Sequence, residues 1–107
     1  NVIKFNSAYG NNTYTCKIVI EKYANYGTTA LRLVSVDEEL YGETIAIMTV
    51  NLDILMPEYA FLDTNNLPQV TDIFKRYKLG TNTGRYKQSG FCQYPFYKLN
   101  LETIQKY

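Results

Sequence analysis

Arg85, Tyr86 and Lys87 follow Gly84 in a stretch that also holds Phe91, Tyr94, Phe96, Tyr97 and Lys98, and a second cationic group, Lys75, Arg76 and Lys78, comes just before it. In this pattern such side chains are those of a binding surface. A fixed basic pair complements an acidic protein patch or a phosphate backbone. Rings stacked in a cationic groove hold the bases of a single nucleic-acid strand at roughly 1–3 kcal/mol each, which makes Tyr94 and Tyr97 candidate stacking positions. The same rings also have a structural reading, because a terminal strand must bury one of its faces. The first cationic group has one as well, since positive charge is favourable near a helix C-terminus.

Reactive chemistry is harder to assemble. The chain has no histidine, which removes the commonest general base, every Ser–His or Cys–His arrangement and all histidine-ligated metal sites. Asp37, Glu38 and Glu39 are adjacent in a turn-like segment, where carboxylates diverge into water rather than share a proton. Gly80 to Gly84 is not a phosphate-binding loop, because Arg85 and Tyr86 stand where a lysine and a hydroxyl would have to follow. Cys16 and Cys92 are too few for a disulfide framework and lack metal-ligand spacing, so both are expected to be buried free thiols. No enzymatic activity, metal or cofactor is expected.

The chain of 107 residues fits one domain, 1–107, large enough to bury roughly two-thirds of its unfolded surface. Its apolar and charged fractions, 46% and 20%, are those of a globular protein. The aromatic set is lopsided, with eleven Tyr, five Phe and no Trp. Tyrosine suits half-buried positions and recognition surfaces. The net charge of +1 conceals a segregation: residues 33–72 carry eight acidic and no basic side chains, and residues 73–101 carry six basic and no acidic ones. These blocks either neutralise each other across a sheet or form two opposed patches. No stretch approaches the roughly 18 apolar residues of a membrane span, and the first residues lack a secretory apolar region, so a cytoplasmic protein without membrane contact is expected.

Periodicity gives the elements that must position these groups. Thr13 to Tyr23 alternates, with Tyr14, Cys16, Ile18 and Ile20 on one face, and Thr29 to Val36 resumes after the turn chemistry of residues 24–27. Glu43 to Leu52 is apolar on both faces and reads as a central strand. Val2–Phe5 and Tyr59–Leu62 are shorter strands. Val70, Ile73, Phe74 and Tyr77 mark one face of a helix over 68–79, with Asn66 as its cap and Gly80 as its stop. Residues 80–90 read as a glycine-bracketed loop projecting Arg85 and Lys87. Phe91 to Leu99 is a last strand in which Pro95 demands an edge or a bulge, and Asn100 caps a final helical turn. The expected class is α+β, a twisted antiparallel sheet of about five strands with one main helix packed on it.

Tyr23-Ala24-Asn25-Tyr26-Gly27, Thr49-Val50-Asn51-Leu52, Ala60-Phe61-Leu62-Asp63-Thr64-Asn65-Asn66, Leu79-Gly80, Thr83-Gly84-Arg85 and Ser89-Gly90-Phe91-Cys92-Gln93-Tyr94-Pro95 together resemble the domain-of-unknown-function family 4313. The resemblance implies small proteins of plasmids and conjugative elements of Gram-positive bacteria, a setting in which accessory proteins counter host defences. It brings no catalytic residues. Two functions stay open. One is a non-enzymatic inhibitor that binds a host or defence-system protein, a CRISPR nuclease with its guide RNA among them, through Arg85, Tyr86, Lys87, Lys78, Arg76 and Lys75. The other is a single-stranded RNA- or DNA-binding domain that adds Tyr94 and Tyr97 as stacking rings.

Overall fold

A computed structural model describes residues 1–7, 10–24, 28–52 and 56–107. Four strands, β1 (Ile3–Asn6), β2 (Thr13–Lys22), β3 (Thr29–Ser35) and β4 (Thr44–Ile47), form one antiparallel sheet in that order. Four more, β5 (Thr49–Val50), β6 (Tyr59–Leu62), β7 (Gly80–Ser89) and β8 (Cys92–Leu99), form a second in the order β5-β6-β8-β7. Helix α1 (Val70–Tyr77) joins β6 to β7, and a last turn, α2 (Leu101–Ile104), follows β8. The α+β class holds, with two four-stranded sheets in place of a single one. No helix among the described residues is long and apolar enough to cross a membrane.

The two sheets arise from one break. Residues 44–50 form two edge strands rather than a central one, because the chain turns at Met48, whose side chain is fully buried. The Met48 N–H donates to the Leu31 carbonyl of the first sheet at 2.8 Å, and its carbonyl accepts from the Asp63 N–H beside the second at 2.9 Å. Inward residues of both sheets, Ile3, Cys16, Leu31 and Leu33 on one side and Leu62, Tyr97 and Leu99 on the other, then share one core with Val70, Ile73 and Phe74 of α1. The turn over residues 24–27 lies, apart from its first residue, outside the described residues.

Both ends of α1 differ from the sequence expectation. Asn66 is not its cap. The Asn66 N–H and side-chain amide donate to the two oxygens of Asp63 at 3.0 and 2.9 Å, fixing the turn before the helix, while Gln69 holds the cap position without a side-chain bond to the helix backbone. The helix stops at Lys78, which adopts a left-handed conformation (φ 57°). Gly80 is needed for another reason: a Cβ there would lie 2.5 Å from the Lys98 carbonyl oxygen and 3.2 Å from the Phe74 ring. At the other end of the chain, Asn100 caps α2 as expected, its side chain accepting from the Thr103 N–H at 3.2 Å.

Candidate functional site

Residues 80–90 are not a loop. They form the ten-residue strand β7, which pairs with β8 through Arg85↔Phe96, Tyr86↔Pro95, Lys87↔Tyr94, Gln88↔Gln93 and Ser89↔Cys92. Gly90 and Phe91 make the two-residue turn. Gly90 takes φ +63° while Phe91 does not enter the left-handed region, the arrangement of a type II′ hairpin with glycine at its first central position. Nearer the root, the register shifts between Asn82 and Arg85. Thr83 Oγ1 donates to the Phe96 carbonyl at 2.7 Å and accepts from the Arg85 N–H at 3.2 Å, and Asn82 accepts from the Gly84 N–H at 2.8 Å. Side chains thus repair the ladder where the bulge interrupts it.

Pro95 sits in β8, an interior strand, yet behaves as an edge residue. Pairing with β6 ends at Phe61↔Phe96, so no β6 partner waits for the N–H that proline lacks.

Cross-strand partners share a face of the sheet, so the register sorts the candidate residues. Arg85 and Lys87 lie on the face of Phe96 and Tyr94, away from α1. Tyr86 lies on the opposite face and is largely exposed. Lys75 and Lys78 flank Gly80 and Thr81 at the root of β7, on the helix side, and Lys75 lines a surface hollow there with Asn82 and Tyr97. Arg76 points elsewhere, toward Lys4 and Asn6 of β1, with its guanidinium 5.6 Å from the centre of the Tyr77 ring. The six residues named from sequence therefore form no single patch. Arg85 and Lys87 make one cationic pair, Lys75 and Lys78 a second on the far face, and Arg76 stands apart.

Tyr94 and Tyr97 are both buried, which corrects their reading as open stacking rings. Tyr97 packs edge-on against Phe74. Burial, then the nearby Tyr86, raises its phenol above the ordinary range. The Tyr94 phenol is also raised, first by its hydrogen bond with Cys92. More accessible rings lie beside them: half-buried Tyr59 stacks on half-buried Phe96 with centroids 5.2 Å apart and planes at 14°, while Phe61, itself buried, tilts against Phe96 at 4.8 Å. Cys92 is only half-buried, near the hairpin tip, whereas Cys16 is buried as expected. Burial, with the Asp37 carboxylate second, pushes the Cys16 thiol up to about 11. The Cys16 thiol is thereby held away from the thiolate form that a nucleophile requires.

Phe91, the most exposed large apolar side chain among the described residues, belongs to the aromatic stretch noted in the sequence but was not among the candidate site residues. Its signal was present, since Gly-Phe between two β-rich runs is a two-residue hairpin turn, but only with 80–89 taken as a strand. Among the described residues the one ion pair is Arg32–Glu21 at 2.8 Å, so the acidic and basic blocks do not neutralise each other there. No group of three or more His, Cys, Asp or Glu side chains among those residues is placed to hold a metal ion.

Fold and site define a two-sheet α+β domain whose most exposed feature is a cationic β-hairpin. The chain belongs to the family described as a domain of unknown function, DUF4313, whose model matches residues 17–107. No curated protein and no solved structure matches it.

Proposed function

We propose that the protein acts by binding an acidic protein surface through the β7–β8 hairpin, without chemistry of its own. The observation that carries this reading is the combination on one hairpin of Arg85 and Lys87, which have no acidic partner among the described residues, with a fully exposed Phe91 at the tip. An apolar anchor beside cations is the composition of an interface hot spot. The mobile-element setting implied by the family resemblance gives the class of partner: a host or defence-system protein, a guide-RNA nuclease included. Inhibition then needs only occupancy of the partner's working surface.

Single-stranded nucleic acid is the second reading, favoured by the Tyr59–Phe96 pair beside Lys98 and Arg85. It ranks lower because Tyr94 and Tyr97 are buried and a net charge of +1 is small for a phosphate-binding domain. The test compares the wild-type protein with Arg85→Glu/Lys87→Glu in co-purification from a host lysate and in a gel shift with labelled single-stranded RNA. Loss of one abundant acidic protein from the variant, with no RNA shift by either, is the expected result. A salt-sensitive shift by the wild type would transfer the assignment to the second reading.

A further inference from the structure

The four sheet edges are treated very differently. β4 and β5 are short, four and two residues. β1 is covered by α1: the Tyr77 hydroxyl accepts from the Lys4 N–H at 2.8 Å and donates to the Lys4 carbonyl at 3.1 Å, and the Gln69 amide donates to the Asn6 carbonyl at 2.7 Å. Short strands and covers are standard ways to keep an edge from pairing with another chain. β7 has neither. It runs ten residues and ends its sheet, with no further strand beyond it among the described residues.

Which backbone groups of β7 are free follows from the turn. A two-residue hairpin closes on a doubly bonded pair, here Ser89–Cys92, and bonded and non-bonded pairs alternate from there. Lys87 and Arg85 therefore turn their N–H and C=O groups toward β8, and Tyr86 and Gln88 turn theirs outward. Pro95, opposite Tyr86, agrees with this phase, because a proline fits only where no ladder N–H is required of it. The bulge and its Asn82 and Thr83 bonds close off the root, leaving Arg85 to Ser89 as the open length.

We infer that this edge receives an extended segment of the partner as an added strand, with acidic residues at alternate positions of that segment meeting Arg85 and Lys87. The inference rests on the protein-binding reading above and says how the partner is held. Its chemistry follows from alternation: residues two apart on a strand share a face, so a partner strand offering Asp or Glu at every second position sets its carboxylates against both cations, while its backbone bonds to residues 86 and 88. The same two cations disfavour a second copy of this chain, since β7 against β7 would set like charges side by side.

The probe is a fluorescein-labelled eight-residue peptide alternating Glu and Thr, titrated by fluorescence polarisation, together with the same peptide N-methylated at every second amide in each phase. Strand addition predicts at least tenfold weaker binding for one methylated phase, for Gln88→Pro and for Arg85→Glu/Lys87→Glu, with the other methylated phase unchanged. The methylated peptides make the result independent of whether Gln88→Pro folds. Binding that falls with charge reversal but ignores both methylated phases would overturn strand addition and leave the protein-binding reading standing. Failure of the wild type to bind the unmethylated peptide at millimolar concentration would overturn strand addition too. A dimer by light scattering that Gln88→Pro abolishes would replace the partner with a second copy. The underlying function would be removed instead by survival of the lysate complex in Arg85→Glu/Lys87→Glu, or by the RNA shift described above.

Discussion

The ring of Phe74 stands edge-on to that of Tyr97, with centroids 5.4 Å apart and planes at 82°. This pair joins α1 to the second sheet and commits Tyr97 to the core. Phe74→Ala is expected to destabilise the protein by about 3–5 kcal/mol, since a fully buried ring would leave a cavity at the seam. Urea unfolding measures it, and a cost under about 1 kcal/mol would mean that the ring does not fill the seam.

Gly80→Ala is expected to cost about 2 kcal/mol or more, although alanine suits a strand better than glycine does. The added methyl would meet the Lys98 carbonyl, a backbone atom that cannot swing aside. Thermal unfolding of the variant checks this, and a neutral result would mean that β7 and β8 are less closely apposed at their root.

Cys16 gives a pH signature. Burial pushes its folded thiol pKa up to about 11, above the ordinary 9.0. The neutral thiol therefore favours the folded state fully below pH 9, and that contribution, about 2–3 kcal/mol, is lost as pH rises from 9 to 11. Tyrosines titrate in the same range, so the measurement is a difference: the stability gap between wild type and Cys16→Ala should shrink by that amount across the window. With a thiol reagent at pH 8, half-buried Cys92 should react before Cys16.

Phe91→Ser should leave the melting temperature unchanged within about 2 °C, because a fully exposed ring contributes nothing to packing and the turn requires only Gly90. Partner affinity should fall tenfold or more if Phe91 anchors the hairpin, measured on the complex recovered from the lysate. Unchanged affinity would confine recognition to the strand itself.

Elements with one buried face were legible in the sequence. The alternation of Tyr14, Cys16 and Ile18 marks β2, although Ile20, next in the same alternation, is exposed where the strand runs past the core; the spacing of Val70, Ile73 and Phe74 marks α1, and Asn100 announces α2, because burial of a single face imprints a period on the chain. β7 left no such imprint. Thr81 to Tyr86 are exposed on both faces, so no apolar period separates a strand from a loop there. Likewise the run from Ile45 to Val50 is apolar on both faces apart from Thr49, and nothing local says that it breaks at Met48.

The sequence by itself therefore determined the α+β class, the main helix, the absence of histidine chemistry and the presence of a cationic aromatic stretch. Tertiary structure decided how that stretch is used. Pairing of β7 with β8 and of β8 with β6 turned Arg85 and Lys87 to one face, drew Tyr97 into the core against Phe74 and left Phe91 at a bare tip. Those outcomes depend on register between segments up to about forty residues apart, and register is set by which faces find a common core rather than by any residue's own preference.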